Sequence, residues 1–179
     1  MKKELIKLSA ILCAITFAAS LLLATVNKLT LPRIAQAEAV AAETAMKSML
    51  VGATSFKEIA ENVFEGTKEN ETVGYCVTVY PAGFAGEIKL LVGIGTDDKV
   101  KGIEILSHSE TAGLGAKATD ADFKNRFKEK NPYINVVKGE TESPDEVQAI
   151  TGATITSRAV SNGVKEAYDL LKKVKGGNK

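Results

Sequence analysis

The 179-residue chain is poor in the residues that build metal and redox centres: it holds two cysteines and one histidine. A protein-held metal usually takes three or four His, Cys or carboxylate ligands, so these counts argue against a metal centre. There is no CxxC pair and no Cys-x-x-Cys-His haem motif, so any redox role must come from a bound organic group. Cys13 lies in an apolar run and Cys76 in a strand-like one, which suggests no disulfide; Cys76 reads as a buried thiol packed like a small hydrophobe. A charge excess of one sign is also missing. The formal net charge is +1, of which Lys2, Lys3 and Lys7 against Glu4 put +2 before residue 28, leaving −1 for the remainder. That excludes a basic nucleic-acid footprint.

What the chain does have is one long apolar run and enough remaining length for one domain. Leu8 to Val26 (LSAILCAITFAASLLLATV) contains no charged residue, and its 19 positions span roughly 28 Å as a helix, about a bilayer core. Lys2, Lys3 and Lys7 precede it and Lys28 and Arg33 follow, a modest positive-inside bias that puts the N-terminus in the cytoplasm. A cleaved export signal shares this flank and run. Its A-x-A site is hard to place, however, because Ala35 and Ala37 lie beyond Lys28, Pro32 and Arg33. The residues before Cys13 (Ala10, Ile11, Leu12) lack the small residue of a lipoprotein site, so an anchor is the better reading. The resulting division is a cytoplasmic N-terminus over 1–7, a transmembrane helix over 8–27, a membrane-proximal helix or linker over 28–55, and an extracytoplasmic domain over 56–179.

Within the domain the patterns alternate in kind. Ile34 to Val51, rich in Ala, Glu and Met and following Pro32, predicts a helix. Val73–Tyr80 and Glu87–Ile94 predict strands from clustered β-branched and aromatic residues, and Val100–Ser107 a third after the turn Thr96–Lys99. Residues 120–130 (DADFKNRFKEK), acidic first and basic last, predict a helix behind Thr119 that Asn131 and Pro132 end. Short strands are predicted at Tyr133–Val137 and Glu146–Ile150, around a polar loop at Glu140–Asp145. In the last segment Val160, Val164, Ala167, Tyr168, Leu171 and Val174 recur every three or four residues, a helix with one apolar stripe; Gly163 inside it marks close packing. The fold class is α+β, a largely antiparallel sheet with packed helices, preceded by one N-terminal transmembrane helix.

Between the last strand and the last helix lies TGATITS, Thr151 to Ser157, with small residues at Gly152 and Ala153 and hydroxyls at Thr151, Thr154, Thr156 and Ser157. Small residues let backbone N–H groups approach a ligand, and a following helix N-terminus favours negative charge, which together suit a phosphate. An ordinary capped helix start, with Thr156 or Ser157 as N-cap, accounts for the same residues. Both readings stand on the residues alone. A second notable stretch is HSETAGLGAK, His108 to Lys117; Glu110, Thr111, Gly113, Leu114 and Gly115 in it have the composition of a surface turn.

TGATITS resembles the S/T-G-A-T-x-T/S signature of FMN-binding domains, and HSETAGLGAK resembles their E-T-P-G-L-G segment, with Ala112 where proline is usual. With the anchor and the domain length, the whole chain is similar to the RnfG family of the Rnf electron transport complex, and to its relative NqrC of the sodium-translocating NADH:quinone reductase. The resemblance implies an electron-transfer subunit of a membrane-bound ion-translocating ferredoxin:NAD oxidoreductase, an electron carrier rather than an enzyme on its own. It implies a single pass through the cytoplasmic membrane, the domain on the extracytoplasmic side, and as partners the membrane subunits and the cytoplasmic iron-sulfur and flavin subunits.

It further implies FMN joined by a phosphoester to Thr154, installed by a flavin transferase, with Thr151, Gly152, Ala153, Thr156 and Ser157 around it. Glu110, Thr111, Gly113, Leu114 and Gly115 would line the flavin: the glycines admitting it, Leu114 covering its apolar face, Thr111 bonding a polar edge. His108 and Lys117 are weaker candidates. Gln148 departs from the pattern, which often has an acidic residue three positions before S/T-G-A-T; Asp145 and Glu146 are out of register. The competing functions are a component of the quinone reductase, a tethered binding domain with no redox role, and a free-standing flavoprotein reductase, for which the chain has neither insertions nor a repeated motif.

Overall fold

The computed structural model describes residues 2–177, which divide between Val40 and Ala41 into two compact units. Helix α1 runs Lys2–Met49; its greater part makes up the first unit, and its last turns, from Ala41, belong to the second. Among the described residues α1 is the one helix long and apolar enough to cross a membrane by length and composition. The helix passes through Pro32 without a break, where the sequence suggests a fresh start. Proline forfeits one backbone bond, but the good helix formers on both sides carry the turn across it.

The second unit is built on a five-stranded antiparallel meander in sequence order: β1 Ser55–Ala60, β2 Val63–Lys68, β3 Glu71–Val79, β4 Lys89–Gly95 and β5 Val100–Ser107. A 3-10 turn (Gly115–Thr119), α2 (Ala121–Asn125), a parallel pair of short strands β6 (Asn135–Val137) and β7 (Glu146–Gln148), and α3 (Thr154–Gly177) complete it. Strands β3 to β5 fall where the apolar clusters predict them. The sequence pattern does not predict β1 and β2, because β1 carries a charged or polar residue at three of its six positions and lies at the sheet edge.

Alternate side chains of a strand point to opposite faces, and here both faces are covered. On one, Val77, Val79, Leu90, Val92, Ile94, Ile103 and Ile105 pack against Val160, Val164, Ala167 and Leu171 of α3, the predicted stripe. On the other, Cys76 and Leu91 lie under Ala45, Met46 and Leu50 at the end of α1. Double coverage explains why β4 is apolar at nearly every position. Residues 41–50, read from sequence as part of a membrane-proximal helix or linker, contribute to a core.

Glycines make that second contact close. Gly66 and Gly74 pair across β2 and β3, and Gly93 and Gly102 across β4 and β5. A Cβ on Gly66 or Gly74 would come within 2.8 Å or 2.7 Å of Leu50, and one on Gly93 or Gly102 within 2.9 Å of Met49. Gly163 does the same for α3 on the opposite face, where a Cβ would stand 2.7 Å from Pro81 and 2.8 Å from Leu90.

Three predicted elements are shorter in the structure. The helix over 120–130 ends at Asn125, because Glu129 N–H donates to Val100 O (2.7 Å) and Val100 N–H to Lys130 O (3.0 Å), drawing the chain onto the start of β5. The strands expected at 133–137 and 146–150 reduce to the three-residue pair β6 and β7. Beyond Gln148 the chain already turns toward α3: Ala149 N–H still reaches Val137 O, and Ala153 N–H closes a turn on Ile150 O.

Candidate functional site

Helix α3 begins inside TGATITS, at Thr154, so Thr156 and Ser157 stand in its first turn rather than at the N-cap the sequence suggests. Ala153 precedes the first helical residue and has no side-chain oxygen to accept from the first-turn N–H groups, which an N-cap residue would supply. The hydroxyl of Ser157, wholly buried, does local work instead: it donates to Ala153 O (2.9 Å) and accepts from Ile150 N–H (3.0 Å), fixing the strand-to-helix turn. Gly152 supplies the positive φ (+78°) that the turn requires.

The second motif folds into a turn of its own. Leu114 N–H (3.2 Å) and Ala116 N–H (3.1 Å) both donate to Thr111 O, with Gly113 at φ +78° between Thr111 and Leu114. Glu110 is 8% exposed, the single charged residue in the buried class among the described residues. Its Oε1 accepts from Phe84 N–H (2.7 Å) and Ala85 N–H (3.0 Å), its Oε2 from the Thr156 hydroxyl (2.6 Å). Its own N–H donates to His108 Nδ1 (3.1 Å), which places that histidine in the loop's internal bonding. Burial pushes the Glu110 carboxyl up, but the Thr156, Ala85 and Phe84 donors and the nearby His108 outweigh it, and the net direction is below the ordinary value.

These bonds bring three segments that are distant in sequence to one cavity of about 320 Å³, walled by Phe84, Glu110, Thr111, Leu114, Gly115, Gly152, Ala153, Thr154, Ile155 and Thr156. Both motifs therefore meet. Of the residues singled out from sequence, Thr151 and Gly113 are exposed and off this wall, and Ser157 is buried behind it. Thr151 lines a smaller hollow of about 240 Å³ with Lys117 and Gln148. Tyr75 packs against the core, whereas Tyr80 is 46% exposed.

Phe84 and Ile155 join the wall without being predicted from sequence. They are 68% and 56% exposed and, with Leu114 at 45%, give the cavity an apolar rim. Phe84 sits at the tip of the hairpin between β3 and β4, where Gly83 N–H bonds Gly86 O (2.7 Å). A phenylalanine in so tight a glycine-flanked turn is itself a signal, since such turns are ordinarily polar.

Comparison with known proteins converges on the same region. The FMN-binding domain family matches residues 83–169, a span that contains both motifs and Phe84. The G subunit of the proton-translocating ferredoxin:NAD(+) oxidoreductase complex of Clostridium ljungdahlii is 35% identical over 163 residues, covering 90% of this chain and 88% of that one. Its counterpart in the Na(+)-translocating complex of Acetobacterium woodii is 42% identical over 151 residues, 80% of this chain and 72% of that one. Among solved structures, the C subunit of the Na(+)-translocating NADH-quinone reductase from Parabacteroides distasonis superposes with a TM-score of 0.54 at 26% identity, over 63% of this chain and 61% of that one. NqrC of Shewanella oneidensis, at 20% identity and a TM-score of 0.55, shares the fold over 70% of this chain and 72% of its own.

Proposed function

The chain belongs to the RnfG family of ion-translocating ferredoxin:NAD oxidoreductase complexes, and from that premise we propose that it is a fixed electron relay carrying FMN as a phosphoester on the Thr154 hydroxyl. The observation that carries this reading is the position of Thr154. It is the first residue of α3, at a helix start whose N-cap residue offers no acceptor, and it stands on the wall of the cavity that both motifs form. First-turn N–H groups and the positive end of the helix favour a phosphate there.

The remaining wall suits the rest of the group. Leu114, Phe84 and Ile155 present apolar surface to a flat aromatic ring, and Thr111 offers a hydroxyl to a polar edge. Flavin supplies electron transfer when bound; this chain's residues hold, orient and partly shield it. A covalent tie keeps the group from being lost on the extracytoplasmic side, where α1 as a membrane anchor with its basic N-terminal flank would place the domain. A flavin transferase installs the group, and the neighbouring subunits give and take its electrons.

The test is the fluorescence of the denatured protein band after co-expression with a flavin transferase. The unsubstituted chain is expected to fluoresce and Thr154→Ala to be dark; fluorescence that survives the substitution would refute attachment at Thr154. A role in the sodium-translocating quinone reductase is the second reading, carried by the likeness to NqrC, but the identity to the ferredoxin:NAD oxidoreductase relatives is higher and spans more of the chain.

A further inference from the structure

We propose that Glu110 is a fixed anion, with no lysine or arginine paired to it among the described residues, that lowers the reduction potential of the flavin held in this cavity, an inference that rests on the FMN reading above. Both carboxylate oxygens are taken up by N–H and O–H donors from Phe84, Ala85 and Thr156, and no lysine or arginine is ion-paired to it among the described residues. Those donors hold the charge in place without cancelling it. Gly83 and Gly115 approach from two sides so closely that a Cβ on either would collide with the carboxylate, so glycine at both positions makes room for it. With both oxygens accepting, Glu110 has no proton to donate to a ligand.

The carboxylate also lines the cavity. A cavity of that volume is on the order of 8 Å across, so a ring seated in it lies within the range over which a buried charge acts strongly. Reducing a flavin near neutral pH adds two electrons and one or two protons. The reduced ring therefore carries as much negative charge as the oxidised one or more, and a fixed anion beside it disfavours the gain. The expected consequence is a donor kept strongly reducing.

The experiment is a redox titration of the flavinylated protein with mediator dyes, after intact mass has shown the flavin attached. Glu110→Gln removes the charge and keeps the bonding pattern, because the amide oxygen accepts from Phe84 and Ala85 while its NH₂ donates to the Thr156 hydroxyl, which serves equally as acceptor. At the potential where the unsubstituted protein is half reduced, E110Q is expected to be reduced by a ratio of roughly tenfold, the equivalent of about 30 mV for a two-electron couple. Thr156→Val keeps the charge and removes one donor, so its midpoint is expected to stay or move down. An unshifted midpoint in flavinylated E110Q, or an upward shift in T156V, overturns the proposal; T156V decides it alone if E110Q does not fold. Absence of the mass increment in the unsubstituted protein would instead overturn the FMN reading.

Discussion

At the scale of single residues, the hydroxyls of TGATITS that look alike in sequence divide by task. Ser157 is locked into the turn by two buried hydrogen bonds, whereas Thr151 is exposed. Ser157→Ala is expected to cost about 1–3 kcal/mol, the penalty of leaving Ile150 N–H without its partner, and Thr151→Ala less than about 0.5 kcal/mol; urea unfolding separates them. Glu110 is likewise a structural acid, and its titration has a sign. Its carboxyl is held below the ordinary 4.5, so its ionised form stabilises the fold fully above the unfolded chain's value and that contribution disappears as pH falls through the lowered folded value. The stability advantage of the unsubstituted protein over E110Q is therefore expected to be largest near neutral pH and to shrink below about pH 4.5; an advantage that grows on acidification contradicts this.

The chemistry of these residues was legible from the two motifs, but their division of labour was not. Which hydroxyl bonds inward depends on where α3 starts, and the Thr156 bond to Glu110 joins positions 46 apart in sequence. Ile155 has no mark in the sequence, because an isolated surface apolar residue carries no periodicity, whereas Phe84 stands out only through its glycine-flanked turn.

At the scale of elements, strands β3 to β5 could be read from clustered β-branched and aromatic residues and helix α3 from its three-four stripe, both of which record burial directly. The shortened α2 and the parallel pairing of β6 with β7 could not, since contacts outside each element decide them, nor could β1 and β2, whose polar positions blur the strand pattern. The glycines within the strands were a signal for close approach of something to the sheet, and the structure supplies the end of α1. Gly102→Ala is expected to destabilise the domain by about 1–3 kcal/mol through the Met49 Cγ contact at 2.9 Å. Adding Met49→Ala, which removes that atom, should return part of the loss, and a thermal-unfolding double-mutant cycle reads the coupling. Strict additivity would mean that the two residues do not press on each other.

At the scale of the whole molecule, residues 41–50 belong to the folded domain by the contacts they make, whatever the rest of α1 does in a membrane. A chain beginning at residue 41 is expected to fold and keep Cys76 unreactive. The thiol is fully buried, and burial pushes it up to about 12. A chain beginning at residue 56 lacks Ala45, Met46 and Leu50, so Cys76 and Leu91 lose their cover and the thiol is expected to react rapidly with a maleimide. Equal protection in both chains would show that the helix end adds nothing to the domain.

The proposed phosphoester to Thr154 underlies the whole functional reading, and the intact mass of the chain co-expressed with a flavin transferase tests it most directly. One increment equal to an FMN phosphoester, present in the unsubstituted protein, mapped by peptide fragmentation to residue 154 and missing from Thr154→Ala, is the expected result. An unmodified mass in the unsubstituted chain, or an increment that persists in Thr154→Ala, would contradict it.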